Sequence, residues 1–100
     1  MIVMHAALPI DPDGKAEAID LLVDLAEQSR AEDGVIEYRV TTDAEDPNTI
    51  RVFEQYEDDG AVDDHMSSDH FQTFQADIEG YIAGEPTLTR FDVSAETDVM

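Results

Sequence analysis

Four segments of the chain have the pattern of hydrophobic and polar residues that predicts β-strands. Residues 2–10 form an apolar stretch that contains β-branched residues and has no breaker before Pro9. Apolar and polar positions alternate with a period of two over residues 35–42 and again over residues 49–57, as in strands with one buried face. A last strand is predicted over residues 87–94. In the third strand, Glu54 falls in the row of residues that would normally be buried and apolar.

Helical periodicity separates these strands. Residues 12–31 carry apolar side chains at i, i+3, i+4 and i+7, and Asp11 followed by a proline is a suitable helix start. A short helix is predicted to begin at residues 58–60. A second cap within residues 67–69 begins an apolar helical stripe that reaches about residue 82.

The elements follow the order strand, helix, strand, strand, helix, strand. This order is typical of the ferredoxin-like split βαβ fold, an α+β plan in which helices cover one face of a four-stranded antiparallel sheet. The other face would carry exposed apolar residues, and a chain of this size usually packs such a face against a second copy. We therefore predict one domain over residues 1–95 that forms a homodimer, with a frayed polar tail at residues 96–100.

Acidic residues greatly outnumber basic ones. The chain has 25 Asp and Glu but only 5 Lys and Arg, which gives a formal charge of −20. Because the acids are interleaved with the apolar positions, they indicate a folded domain with an acidic surface rather than a disordered tail. Such a surface repels itself at low ionic strength and is screened by molar salt, which is typical of proteins from salt-accumulating halophiles.

This charge argues against two classes of partner. Nucleic acids and anionic membrane surfaces attract clustered Lys and Arg, and here the basic residues are few and scattered. No apolar run approaches the roughly 20 residues that span a bilayer, and residues 1–5 lack the basic start of a signal peptide, so we expect a cytoplasmic protein. The absence of Cys excludes a disulfide, a thiolate nucleophile and a Cys-ligated metal.

Two histidines and one acid are the candidate groups for proton transfer. The imidazoles of His65 and His70 have an unperturbed pKa of about 6.5, which gives access to both protonation states near neutral pH. Glu54, on the preceding strand, can orient and polarise one of them; the alternative for all three is a purely structural role. A metal site is not expected, because the two histidines are five positions apart across a helix break with no third ligand at a recognisable spacing.

The segment over residues 53–74 resembles the antibiotic-biosynthesis-monooxygenase family. The family pattern is a strand ending in Glu-x-Trp/Tyr, an acidic turn, an Ala and then His-x-x-Ser-x-His-Phe. In this chain the matching positions are Glu54, Tyr56, Ala61, His65, Ser68, His70 and Phe71. Residues 33–40 are similar to the family's Pro-Gly-x-x-x-Tyr-x-Val stretch, with Asp33 in place of the proline.

The resemblance implies a dimeric α+β barrel with a pocket between the sheet and the helices of each subunit. Many members oxidise phenols, hydroquinones or polyketide rings with O2 and without a bound cofactor, so the expected partners are a small aromatic substrate and O2. The catalytic residues would be His65, His70 and Glu54. The residues predicted to contact the substrate are Tyr38, Tyr56, Phe71, Phe74 and His5. Aromatic residues at these spacings are also common in a plain core, and His5 can instead face the dimer interface.

Two other functions fit the same residues. An isomerase of the kind that acts on a phosphorylated signalling sugar would use the same histidines, but a phosphate cradle rich in Lys or Gly is not evident. A dimer that binds a small molecule without converting it is the non-enzymatic alternative. Haem degradation, which other relatives perform, is not expected, because the positions of the Asn, Trp and His used there are occupied by Ala7, His65 and Gln75.

Overall fold

The computed structural model describes residues 1–100 and contains four strands and three helices. The strands are β1 (Ile2–Pro9), β2 (Val35–Thr42), β3 (Thr49–Tyr56) and β4 (Thr87–Asp92), and the helices are α1 (Lys15–Arg30), α2 (Asp59–Ser67) and α3 (Asp69–Ile78). Short 3₁₀ turns at Pro12–Gly14 and Glu79–Tyr81 precede α1 and follow α3. Every predicted strand and helix is therefore present. None of the helices is long and apolar enough to cross a membrane.

Two helix boundaries differ from the prediction. The helix predicted over residues 12–31 begins as a 3₁₀ turn, which the side chain of Asp11 caps. The stripe predicted to extend beyond α3 leaves the α-helix after Ile78 and ends in the second 3₁₀ turn. The two turns are in close contact. A Cβ atom added to Gly14 would lie 2.5 Å from the ring of Tyr81. A residue larger than Gly at this position would separate them.

The four strands form one antiparallel sheet in the order β2–β3–β1–β4, which confirms the ferredoxin-like fold. The helices cover one face of this sheet. On β3, Glu54 lies on the helix-facing side near the middle of the sheet, opposite Met4 of β1 and Tyr38 of β2. The alternation of strand residues therefore brings an acid beneath the helices.

A hydrophobic core fills the space between the sheet and α1. The helix buries one stripe, in which Leu22, Leu25 and Ala26 are each no more than 2% exposed. The stripe packs against strand residues such as Ile50 and Val52, which are also at most 2% exposed. Burial of side chains of this size stabilises the fold by about 1.5–3 kcal/mol each. A second cluster holds α2 against the sheet and contains Ile2, Met4, Tyr56, Ala61 and Val62.

A single residue separates α2 from α3. The hydroxyl of Ser68 donates a hydrogen bond to the carbonyl of His65 at 2.6 Å and accepts one from the backbone N–H of Phe71 at 3.3 Å. It thereby ends α2 and caps α3, as short polar residues do at helix N-termini. The bend directs the side chains of His65 and His70 toward the same point although they lie on different helices.

Most of the outer face of the sheet is not covered by the chain, although Met1 and Glu96 contact Gln55 of β3, which is 7% exposed. His5 of β1 lies there opposite Phe53 of β3, and Val3 of β1 lies opposite Phe91 of β4. Phe53 is 37% exposed and Phe91 is 49% exposed. Residues 95–100 have no regular secondary structure and are exposed.

Candidate active site

A cavity of about 350 Å³ lies between the helix-facing side of the sheet and the helices. Most of its wall is apolar and comes from α1, α3 and the sheet, including Leu22, Val52, Phe71 and Phe74. Tyr38 and Glu54, neighbours on adjacent strands, are part of the lining. None of the five Lys and Arg side chains lines the cavity. A ligand here would meet apolar surfaces and a few uncharged or acidic groups.

Glu54 is the buried acid of this cavity. The residue is 5% exposed, and its Oε1 accepts a hydrogen bond from the hydroxyl of Tyr56 at 2.5 Å. Burial raises the pKa of Glu54 to about 7, although the hydrogen bond from Tyr56 acts in the opposite direction. A carboxyl group with this pKa exchanges its proton near neutral pH, which is the property required of a general base or acid.

The two tyrosines next to Glu54 remain protonated. Tyr38 is 2% exposed and Tyr56 is fully buried. Burial, followed by the charge of Glu54, raises the pKa of both hydroxyls well above the ordinary value. Both are therefore hydrogen-bond donors at any physiological pH, and Tyr38 is the one that lines the cavity.

His65 and His70 meet at a different carboxylate, that of Glu32. Oε2 of Glu32 lies 2.9 Å from Nδ1 of His65 and 2.6 Å from Nε2 of His70. His65 is fully buried, and its ring packs against Phe71, Tyr38 and Tyr56 at centroid distances of 4.9, 5.4 and 5.7 Å. Burial lowers the pKa of His65, and the contact with Glu32 only partly opposes this effect.

The structure separates the predicted site residues into three groups. Glu54, Tyr38, Phe71 and Phe74 line the cavity. Tyr56 lies beneath it and contacts Glu54. The remaining predicted residues are outside the lining: His65 is buried behind Phe71, His70 borders a separate surface groove, and His5 lies on the outer face of the sheet.

The structure corrects one expectation about Glu54 and adds Glu32, a residue that was not predicted to be part of the site. We expected Glu54 to orient a histidine, but its hydrogen-bond partner is Tyr56, two positions along the same strand face. The acid that contacts both histidines is Glu32, in the turn between α1 and β2. Its only sequence signal was its place immediately before the segment at residues 33–40 that carries the family resemblance.

Comparison with known families identifies the family of the chain. The model of the antibiotic biosynthesis monooxygenase family matches residues 1–77 of the chain. The chain belongs to the antibiotic biosynthesis monooxygenase family. This membership confirms the resemblance on which the predicted fold and pocket partly rested.

Individual proteins and solved structures also match almost the whole chain. "Putative monooxygenase YcnE" of Bacillus subtilis is 28% identical over 94 residues, which are 94% of this chain and 99% of that protein. An uncharacterized protein of Synechocystis, sll1783, is 33% identical over 99% of this chain and 67% of its own length. The structure of Rv0793 from Mycobacterium tuberculosis has a TM-score of 0.90 with 24% identity and covers 97% of this chain and 98% of its own, which supports the shared fold.

Proposed function

We propose that this protein is a cofactor-independent monooxygenase that oxidises a small phenol or hydroquinone with O2. The observation that carries the proposal is the position of Glu54, a buried carboxyl group with a pKa of about 7 in the wall of a largely apolar cavity of about 350 Å³. Family membership supports the same chemistry at the level of the reaction class.

In the proposed reaction, the carboxylate of Glu54 takes the proton of the substrate hydroxyl. A phenol with a pKa near 10 gives up its proton to a base of pKa about 7 at a cost of about 4 kcal/mol. The protonated hydroxyl of Tyr38, opposite Glu54 on the adjacent strand, donates a hydrogen bond to the phenolate oxygen and reduces that cost. We therefore assign the base to Glu54, rather than to His65 or His70 as expected from the sequence.

The phenolate then supplies electrons to O2. One oxygen atom enters the ring and the other leaves as water, so that phenol and O2 give a quinone and water. The substrate loses four electrons and O2 gains them, and no other oxidant or reductant is needed. The protein contributes orientation of the ring and stabilisation of charge, and the apolar wall formed by Phe71 and Phe74 suits a flat aromatic substrate.

The phosphosugar isomerase alternative is less well supported. A phosphate group normally binds Arg, Lys or a series of backbone N–H groups. No Lys or Arg lines the cavity, and Glu54 and Glu79 would repel an anion. Binding of a neutral aromatic molecule without conversion would differ from the monooxygenase only in the chemical step, and the experiment below separates the two.

We further propose that two copies of the chain pack through the outer face of the sheet. Phe53 and Phe91 give that face an exposed apolar surface, and pairing of two such faces under twofold symmetry would cover it. Light scattering on the size-exclusion peak should give twice the mass of the chain. Phe53→Glu should give a monomer, whereas Val23→Glu, at an exposed position on α1, should not. A parent protein that is monomeric would refute this part of the proposal.

The catalytic proposal is tested by O2 uptake with a panel of hydroquinones and phenols. Glu54→Gln keeps the shape of the side chain and an acceptor for Tyr56 but removes the base, so we expect the rate to fall by about 10²- to 10⁴-fold. Glu27→Gln, which removes an acid from the exposed face of α1, is the matched control and should keep the parent rate. If Glu54→Gln consumed O2 as fast as the parent, Glu54 would not be the base. If the parent bound these compounds without consuming O2, the protein would be a binding module.

A further inference from the structure

Three potential metal ligands from three separate elements converge outside the cavity. Glu32 follows α1, His65 lies near the end of α2, and His70 lies in the first turn of α3. One ligand atom of each residue lies within 4.8 Å of the other two. The two shortest separations, 2.9 and 2.6 Å, are both measured from Oε2 of Glu32.

These distances and donor types suit a transition-metal ion. In a tetrahedral site, bonds of about 2.0–2.2 Å to Zn²⁺ place neighbouring ligand atoms about 3.3–3.6 Å apart, so the present contacts of 2.9 and 2.6 Å would have to open by about 0.4–1 Å to admit an ion. Two imidazoles and one carboxylate are a ligand set found for Zn²⁺ and related divalent ions. Mg²⁺ and Ca²⁺ prefer oxygen ligands and fit this set poorly.

The carboxylate of Glu32 is mostly buried, and one of its oxygens has no partner in the protein. Its side chain is only 13% exposed, and Oε1 is buried without a hydrogen-bond partner. Among the ion pairs of the chain, Glu32 has no Lys or Arg partner. A buried carboxylate needs a compensating positive charge, and a bound cation would supply it together with a partner for Oε1.

An ion can reach the cluster from the surface. The side chain of His70 is 19% exposed and borders a groove of about 250 Å³ between α1 and α3. Asp24, Asp69 and Asp77 also line this groove, so its field attracts cations. Glu32, His65 and His70 do not line the cavity that contains Glu54, which separates the cluster from the proposed reaction.

We propose that Glu32, His65 and His70 bind one divalent transition-metal ion, such as Zn²⁺, that links the turn after α1 to α2 and α3. The sequence argument against a metal site rested on the lack of a third ligand, and Glu32 provides one that no spacing indicated. The ion has a structural role here: it fixes the two helices that form part of the cavity wall. The proposal does not depend on the oxidation chemistry.

The test is titration of the metal-free protein, prepared with a chelator, with Co²⁺ and then Zn²⁺. We expect one Co²⁺ per chain with the visible absorption bands of a nitrogen-ligated ion, displacement by Zn²⁺, and a rise in Tm with Zn²⁺. His70→Ala should weaken binding by at least about 100-fold, since loss of an outer-shell partner alone costs about 10- to 100-fold.

Two further variants serve as controls, one for folding and one for the specificity of metal binding. Glu32→Gln retains the shape and a hydrogen-bond acceptor for the histidines, so it should fold but lose the metal. His5→Ala, on the outer face of the sheet, should bind as the parent does. Equal affinity in the parent, Glu32→Gln and His70→Ala would mean that the acidic surface binds the ions, and absence of the Co²⁺ bands would mean that the cluster is only hydrogen-bonded. Either outcome would overturn the proposal.

Discussion

Two carboxylates lie close to the same helices, and their neighbours give them different properties. Glu54 is 5% exposed, faces an apolar cavity and accepts one hydrogen bond from a tyrosine. Glu32 contacts two imidazoles and does not border that cavity. The comparison indicates that burial alone does not make a proton-transfer site. Access to a ligand from an apolar cavity distinguishes Glu54.

The largest stability effect is expected at the histidine cluster. His65→Ala should lower the free energy of unfolding by about 4 kcal/mol, because it leaves a cavity and removes a partner of Glu32. His70→Ala should cost about 1 kcal/mol, since that side chain is 19% exposed. Urea unfolding of the metal-free protein, with all samples at the same protein concentration, measures both losses of stability. Equal losses for the two variants would contradict the difference in burial.

A somewhat smaller effect is expected at Glu54, and it depends on pH. Because its pKa rises from 4.5 to about 7 on folding, the folded state binds more protons in this range, and stability falls as pH increases through it. Glu54→Gln should therefore match the parent near pH 4 and exceed it by up to about 3 kcal/mol above pH 7. The difference between the two unfolding curves across pH isolates this contribution. A difference that does not change with pH would contradict a raised pKa.

Removal of the hydroxyl of Tyr56 tests how the neighbours of Glu54 set its pKa. The hydrogen bond from Tyr56 lowers the pKa of Glu54, so Tyr56→Phe should raise that pKa further above 7. Loss of this buried hydrogen bond should also cost about 1 kcal/mol of stability. Titration of the Glu54 carboxyl carbon by NMR gives the first quantity, and urea unfolding gives the second. A decrease in the pKa of Glu54 would show that the hydrogen bond from Tyr56 does not stabilise the carboxylate.

The smallest effect is expected from salt, which acts on the surface and not on the buried acids. Screening of a net charge of −20 should raise Tm by a few degrees between about 0.1 M and about 2 M KCl. Glu54→Gln should gain the same increment, because Glu54 is buried and poorly screened. A Tm that does not rise would argue against adaptation of this surface to high salt.

The fold was predictable because its signals are local. Alternation over residues 35–42 and 49–57 and a polar cap within residues 67–69 each depend on neighbouring residues. The structure has strands in both segments and a cap at Ser68. The same alternation correctly placed Glu54 among buried residues. The 3₁₀ ends of the helices were not predicted, and the contact that joins them is between Gly14 and Tyr81, which are distant in sequence.

The partners within the site were less predictable. Glu32 is 33 positions from His65 and 38 from His70, and no sequence period connects residues at such separations. The contact between Tyr56 and Glu54 was accessible in principle, since residues i and i+2 share a strand face. We instead expected a histidine there, because the sequence does not show that the ring of Phe71 packs against His65 and lines the cavity.

The central claim is that Glu54 exchanges its proton near neutral pH inside the cavity. Titration of its side-chain carboxyl carbon by NMR in the folded protein, with Glu54→Gln to assign the resonance, tests this claim directly. The account predicts a midpoint near pH 7. A midpoint near the ordinary value of 4.5 would contradict it and would leave the cavity without a base suited to neutral pH.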